Sequence, residues 1–411
     1  MEVMYPKSSG LDVHLKFVIA CVYVVNAKGQ SKAVKRRFGT TTSGLRELVS
    51  WLQGHGIEQV AMESTGIYWK PVYNVLHAHF DVWVVNAQHV SRVPGRKTDE
   101  SDAEWLTKLM QYGLLNRSFI PDEWQRDLRD LTRYRTRLIQ EKSSGVNRLH
   151  KILEDANIKL SSVVTDIQGV SARSMIEALI DDEMDVQQMA NLALGTMRPK
   201  IPLLVEALTG FMRPHHRYML QEILQHLDEL RNRIASLDRQ IQVVCAPYAS
   251  LVERLDEIPG VGGRTAEIIL AEVGPSVEKW PTSGHLASWA CVCPGNHESG
   301  GKRYSGKRRK GQKWLVSALV EAAQAASRTK NTYLSAQFHR LRARRGAKRA
   351  TVAVAHSILT IAYHLIQKPE ERFAELGGDF FLNKNKEQEQ RRAVKMLETL
   401  GFHVALIPAP A

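Results

Sequence analysis

The first part of the chain alternates between short apolar runs and stretches with apolar residues at helical spacing. Residues 11–24 are β-rich, and the turn Asn26-Ala27-Lys28-Gly29 leads into a second extended stretch toward Phe38, which predicts an opening β-hairpin. Residues 41–52 carry Leu45, Leu48, Val49 and Leu52 on one helical face. A short strand over 59–62 ends in Glu63, residues 68–79 read as a helix, and Val82-Trp83-Val84-Val85-Asn86 reads as a buried strand. This order predicts an α/β layer over residues 1–121, with acids at strand ends where open sheets place their active sites.

After Asp122 the strand signals vanish. Residues 127–155 form an amphipathic pattern with Leu128, Leu131, Leu138, Val146, Leu149 and Ile152 on one side and many bases, among them Arg126, Arg129, Arg133, Arg135, Arg137, Lys142, Arg148 and Lys151. Those bases suit either a solvated face or a nucleic-acid backbone. A heptad seam follows: Ile223, Leu227, Leu230, Ile234, Leu237, Ile241 and Val244 alternate spacings of four and three. Such a seam needs a partner helix, which residues 127–155 of the same chain or this segment of a second chain could supply. Residues 158–214 read as shorter helices and turns. The expected domains are therefore 1–121, a helical middle over 122–250, a helical carboxy-terminal domain over 251–367, and a polar tail over 368–411.

Charge narrows the partners. The 411 residues, 44% hydrophobic, can bury substantial cores, and the formal net charge of +13 argues for a polyanion, nucleic acid before membrane. The four cysteines form no CxxC pair and no zinc spacing, as reduced core thiols of a cytoplasmic protein would. The most apolar late stretch, 351–366, contains His356 and His364 and reads as too short and too polar to span a membrane.

The candidate chemistry begins with acids. Asp12 stands inside the first apolar strand and Glu63 directly follows a later one, where an unpartnered carboxylate is costly. Lys97-Thr98-Asp99-Glu100-Ser101-Asp102-Ala103-Glu104 then sets Asp99 and Asp102 three apart at the expected start of a helix, hence on one face. Two like charges held together call for a cation, and a divalent metal suits them. Capped by Thr98, the same acids would also serve as a solvated helix start. First strand, later strand end and helix pair together resemble the RNase H/RuvC-like nucleases, whose carboxylates bind two Mg²⁺ ions for phosphodiester chemistry.

The blocks Gly10-Leu11-Asp12-Val13-His14, Met62-Glu63-Ser64-Thr65-Gly66-Ile67-Tyr68-Trp69 and Lys97-Thr98-Asp99-Glu100-Ser101-Asp102-Ala103 resemble the motifs of the DEDD insertion-sequence transposases related to the Piv invertase. The resemblance implies that Asp12, Glu63, Asp99 and Asp102 are a metal-binding tetrad. Glu100 and Glu104 fall outside the matched positions and read as solvated helix acids.

In the carboxy-terminal domain, Ile258-Pro259-Gly260-Val261-Gly262-Gly263-Arg264-Thr265 looks like a helix-hairpin-helix turn. Backbone amides near Gly260, Gly262, Arg264 and Thr265 would there meet a phosphate. Next comes a glycine-rich loop holding Ser299, Ser305, Lys302, Arg303, Lys307, Arg308, Arg309 and Lys310. By its residues alone the loop could bind nucleic acid with inert serines, or place a serine to attack a phosphodiester among cations. The same family has Pro-Gly, then Ser-Gly/Ala-Gly-Lys, then a basic stretch entering a helix, as do Pro294-Gly295, Ser299-Gly300-Gly301-Lys302 and residues 312–326 here. The resemblance therefore implies Ser299 as nucleophile, with Ser305 a weaker contender; His297 and Glu298 lie nearby without an implied role. Further on, Arg340, Arg342, Arg344, Arg345, Lys348 and Arg349 crowd the junction of two expected helices, a pattern suited to phosphate contact.

The expected fold is thus α/β plus mainly α: an RNase H/RuvC-like amino-terminal domain, a coiled-coil middle and a helical transposase domain. The resemblance implies a recombinase that cuts and rejoins DNA through a phosphoserine intermediate assisted by two Mg²⁺. It further implies a noncoding bridge RNA that selects target and donor DNA, and a homodimer formed with help from the coiled coil of 122–250, hence a second chain on the heptad seam, pairing to a tetramer with carboxylates of one protomer meeting the serine of another. Expected localisation is the bacterial cytoplasm, at the nucleoid when active. A RuvC-type junction nuclease using water, or a non-catalytic nucleic-acid scaffold, would fit the same charge and helices.

Overall fold

The computed structural model describes residues 3–25, 31–64, 66–90, 101–294, 298–303, 311–384 and 386–405. The chain divides into two compact units, Met1–Pro121 and Asp122–Ala411.

The first unit is built from β1 (Ser8–Val13), β2 (Phe17–Val25), β3 (Ser31–Gly39), α1 (Thr42–Gly54), β4 (Gln59–Glu63), α2 (Trp69–Leu76), β5 (Asp81–Val85), α3 (Ala87–Val90) and α4 (Asp102–Gln111). Its five-stranded sheet has the order β3-β2-β1-β4-β5. β1, β2 and β3 pair antiparallel, while β4 lies parallel to both β1 and β5. The run expected as one extended stretch is broken: β1 and β2 form their own hairpin, closed by the His14 amide donating to the Phe17 carbonyl at 2.9 Å. Exposed Leu15 and Lys16 sit at that break, where an apolar residue at a turn imitates strand continuity. The Asn26–Gly29 turn lies outside the described residues.

Each face of the sheet has its own apolar layer. Leu11, Val60, Met62, Val82 and Val84 meet Leu45, Leu48, Leu52, Val72 and Leu76 of α1 and α2. On the other face Ala61 and Val85 meet Trp105, Leu106, Leu109 and Met110 of α4. Thr41 caps α1, its hydroxyl accepting from the Gly44 amide, which fixes where that helix starts.

The second unit is helical among the described residues except for one small hairpin. Its elements are α5 (Glu123–Asp155), α6 (Leu160–Val163), α7 (Val170–Asp181), α8 (Val186–Ala190), α9 (Ile201–Leu208), α10 (Pro214–Cys245), α11 (Ala249–Asp256), α12 (Gly263–Val273) and α13 (Ser283–Trp289). They are followed by β6 (Glu298–Ser299), β7 (Lys302–Arg303), α14 (Lys313–Ala326), α15 (Tyr333–Arg345), α16 (Ala347–Gln367), α17 (Phe380–Lys384) and α18 (Lys386–Thr399). α5 and α10 run antiparallel along much of their length. Leu149 and Leu153 share a core with Leu220, Ile223, Leu224 and Leu227, Leu138 packs with Leu230 and Ile234, and the Trp124 indole donates to the Val244 carbonyl at 2.9 Å. At Gly145 a Cβ would stand 2.8 Å from Leu227 Cδ2, so a residue poor for helix propensity is what lets the two helices close. From Ile223 to Leu237 the heptad seam therefore packs on α5 of the same chain, where the family resemblance had pointed to a second copy.

Three bases of α5 that composition assigned to a cationic face are spent inside the fold. Arg129 and Arg133 converge on the buried Glu272 of α12, with Arg133 Nε 2.7 Å and Arg129 Nε 3.4 Å from its carboxylate. Arg135, 1% exposed, reaches Asp238 of α10 at 2.9 Å and Glu267 of α12 at 2.5 Å. Burial pulls the Arg129 guanidinium down to about 10, against the opposing pull of Glu272.

α16 is the core helix of the last part, with Val354, Ala355, Ile358, Leu359 and Ala362 fully buried. At 21 residues it exceeds the apolar stretch read from sequence and has the length and apolarity to cross a membrane, but 56% of that window is buried within the protein. The tail carries order as well: Arg254 of α11 donates to the carbonyls of Leu365, Lys368 and Glu371, and Glu257 receives Arg372 at 2.7 Å.

Candidate active site

Asp12 and Glu63 occupy neighbouring parallel strands. The β1–β4 register pairs Gly10 with Ala61 and Leu11 with Met62, so Asp12 and Glu63 are the next residues along. Leu11 and Met62 belong to the α1/α2 core while Ala61 belongs to the α4 core; alternation along a strand therefore turns Asp12 and Glu63 toward α4.

α4 runs antiparallel to β1. The Gln111 carbonyl, at its far end, accepts from the amides of Met4 and Tyr5 ahead of β1, while its first residue, Asp102, lies toward the strand's carboxyl end. Gly10 sets the separation, since a Cβ there would fall 2.3 Å from the Ala103 carbonyl oxygen and 2.6 Å from the Thr107 nitrogen. Buried Thr107 ties helix to sheet, accepting from the Gly10 amide at 2.8 Å and donating to the carbonyls of Ala103 and Cys21. Sequence reading missed Thr107; the signal was a lone hydroxyl on the apolar face of 102–111, facing a glycine strand.

Asp12 is partly exposed, and His14 Nε2 lies 3.0 Å from its Oδ2. The His14 ring is held 4.5 Å from that of Phe17, which carries the Arg37 guanidinium on its face at 3.6 Å. Glu104, expected as a solvated acid, is instead mostly covered: Lys35 approaches to 2.5 Å and the Tyr23 hydroxyl donates to it at 3.2 Å. Burial first, and the Glu104 charge second, push the Tyr23 phenol well above its ordinary value. A strand lysine across the sheet from a helix acid leaves no mark in local sequence, which is why Glu104 reads as solvated.

Asp99, Thr98 and Glu100 lie outside the described residues, and α4 begins at Asp102 with Ser101 at its N-cap. Among the described residues, no group of three or more His, Cys, Asp or Glu stands close enough to hold a metal ion. The carboxylate oxygens of Asp12, Glu63 and Asp102 are hard, the type that suits Mg²⁺ and not a soft metal.

In the second unit, Ser299 closes a two-residue hairpin. It pairs with Lys302, and Glu298 pairs with Arg303. Gly300 and Gly301 between them have φ of +58° and +72°, the type I′ signature that glycine satisfies without strain. Lys302 is exposed, whereas His297, Ser305, Lys307, Arg308, Arg309 and Lys310 lie outside the described residues. Beyond the loop, Gly311 abuts Cys291, where a Cβ would meet Sγ at 2.3 Å, so residues 291 and 311 bring the loop's two ends together.

The turn after α11 divides its glycines by task. Gly260, at φ +86°, is pressed against α14, where a Cβ would fall 2.3 Å from the Ala322 carbonyl oxygen. Gly262 and Gly263 are exposed at the start of α12, Gly262 with nothing within 4 Å of such a Cβ. The Thr265 amide already donates to the Gly262 carbonyl at 2.7 Å, and Arg264 is engaged with Asp238 at 2.6 Å.

Comparison with known proteins decides what these parts belong to. Residues 9–158 match a family model described as a transposase, the DEDD transposase of IS110, and residues 252–340 match one described as the transposase IS116/IS110/IS902 family. The chain belongs to the IS110 family of DEDD transposases. A probable family 20 transposase of Pseudomonas aeruginosa is 25% identical over 317 residues, covering 75% of this chain and 84% of that protein. An insertion element IS110 uncharacterized 43.6 kDa protein of Streptomyces coelicolor is 30% identical over 132 residues, 31% of this chain and 27% of that one. This IS110-family transposase is a DNA recombination enzyme, and DNA is its partner. Its small mixed sheet is consistent with an RNase H-like DEDD domain, a type that implies dependence on a divalent metal.

Proposed function

We propose that this transposase cuts and rejoins DNA through Ser299, assisted by two Mg²⁺ ions held by Asp12, Glu63, Asp99 and Asp102. The observation that carries the reading is the convergence of Asp12 and Glu63, on adjacent parallel strands, toward the helix that begins at Asp102. When bound, Mg²⁺ would activate the attacking oxygen and stabilise the leaving one.

In this scheme Ser299 Oγ loses its proton and bonds to phosphorus as one phosphorus–deoxyribose oxygen bond breaks, and the released oxygen takes up a proton as a free hydroxyl. The reverse step, with the hydroxyl of another strand, restores the serine and joins the DNA. The hairpin supports the assignment by holding Ser299 beside exposed Lys302, whose charge would offset the extra charge on phosphorus. Arg303, Lys307, Arg308, Arg309 and Lys310 would grip the same backbone, and the exposed amides of Gly262 and Arg264 at the helix-hairpin-helix-like turn would add a phosphate contact, whereas Gly260, packed on α14, and the Thr265 amide, bonded to Gly262, are already engaged. We assign the α5–α10 pair to a RuvC-like recombinase's coiled-coil spacer. The working form would be a homodimer assembling to a tetramer, guided by a noncoding bridge RNA in the bacterial cytoplasm.

The test is recombination of plasmids bearing element ends and target, with the flanking noncoding RNA supplied. Asp12→Asn and Glu63→Gln should abolish product with DNA binding retained, and Mg²⁺ withdrawal should do the same. Product formed by either variant at the wild-type rate would refute the assignment.

A further inference from the structure

The corner between α15 and α16 is a strongly cationic described surface that the proposed chemistry does not use. From His339 to Ala350 the chain has six arginines and lysines and no acid. Arg342, Arg344, Arg345, Lys348 and Arg349 are all exposed, and among the described residues none of the five forms an ion pair.

Helix electrostatics explain only part of the cluster. Arg342, Arg344 and Arg345 fill the last turn of α15, where the carbonyl end of a helix favours cations. Lys348 and Arg349 stand in the first turn of α16, where the amide end repels them, and that turn has no acid to compensate. Between the helices Gly346, at φ +79°, has nothing within 4 Å of where a Cβ would stand, leaving the backbone of the corner open. A surface that holds cations against its own helix field is built for an external anion.

The corner is also braced. Arg340, one turn before Arg344, lies with its guanidinium 4.9 Å above the Phe381 ring of α17. Phe381 in turn stacks on Tyr333 at 5.2 Å, and Glu375 accepts from the Tyr333 amide at 2.7 Å. The tail thus clamps α15 at its start and through Arg340, so the cations project from a fixed helix pair.

We infer that the α15–α16 corner is a separate binding site for the phosphate backbone of duplex DNA, and that the tail around Phe381 is its brace. Duplex DNA is the polyanion a transposase acts on, and uncompensated cations on a rigid helix pair suit backbone contact without base reading. The inference rests on the DNA-recombinase assignment only for the identity of the duplex; it uses neither Ser299 nor the carboxylates.

The test is fluorescence anisotropy of the full chain with a short duplex of unrelated sequence, in the absence of divalent metal, over a range of salt. Such binding is read whether or not the serine chemistry holds, so the two readings fail separately. The combined variant Arg342→Gln, Arg345→Gln, Lys348→Gln should lose about tenfold or more in affinity at low salt, and its log–log salt slope should flatten by roughly 2 to 3, near 0.9 per lost phosphate contact. Arg342→Lys with Arg345→Lys should keep the slope, and an unchanged melting temperature in both would show that the fold is intact. Phe381→Ala should weaken binding several-fold by freeing Arg340; no change there would overturn the brace. An unchanged slope in the triple variant, or a loss seen with a structured RNA probe and not with the duplex, would overturn the site.

Discussion

The Gly10 amide donates to Thr107 Oγ1 at 2.8 Å, and α4 lies so close over β1 that any side chain at Gly10 would strike the Ala103 carbonyl. That contact sets how near Asp102 comes to the strand carrying Asp12. Gly10→Ala should therefore displace α4, costing about 1–3 kcal/mol in stability as overpacked sites do. Urea unfolding would measure that cost. DNA cleavage at a temperature where the variant stays folded should fall further than stability alone accounts for; full cleavage would show that the α4 spacing does not matter.

Glu272 is fully buried with Arg129 and Arg133 on its carboxylate. Glu272→Ala would leave the buried Arg129 guanidinium without its carboxylate and partly exposed Arg133 without its partner, and should destabilise the protein by about 3 kcal/mol, as breaking one side of a buried ion pair does. The fall in urea midpoint is the measurement. Because the loss is structural, an Arg133→Ala change in the same background should cost less than it does alone.

Gly300 and Gly301 both need positive φ to close the Ser299 hairpin. Gly300→Val, strained at that positive φ although a Cβ there meets nothing within 4 Å, should cost about 1–3 kcal/mol locally in the exposed turn. On the proposed chemistry it should lower strand exchange at least tenfold by misdirecting Ser299, which a single-turnover assay would read.

His356 sits half-buried on α16, and burial lowers its pKa from the ordinary 6.5. A depressed histidine makes the unfolded chain bind the proton first. Its contribution to stability is full above pH 6.5 and is lost as pH falls from there through the folded value. Melting temperature should therefore drop below pH 6.5, and His356→Asn should flatten that drop.

The amino-terminal elements were legible because their signals are local. Thr41 before the Leu45-Leu48-Val49-Leu52 face marks α1, and the apolar runs ending at Glu63 and Val85 mark β4 and β5. The break between β1 and β2 was hidden because Leu15, an apolar residue, sits at the turn. Partners remote in sequence were hidden for a different reason. Nothing near Arg135 announces Asp238 or Glu267, so a buried ion-pair centre reads as part of a basic face. The heptad seam showed that a partner helix was needed, and the resemblance pointed to a second chain; that α5 of the same chain packs on it was hidden, because the two helices are remote in sequence. For the candidate site, the strand positions of Asp12 and Glu63 could be read directly. Their common orientation toward α4 needed the β1–β4 register and the Gly10 contact.

The most direct test of the account is a denaturing gel for covalent protein–DNA adduct. Wild type, Ser299→Ala and Asp102→Ala would each be incubated with Mg²⁺, element-end and target DNA, and RNA transcribed from the noncoding flank. The account predicts an adduct in wild type alone. Cleaved DNA without adduct, persisting in Ser299→Ala, would contradict it and leave a metal-dependent nuclease that uses water.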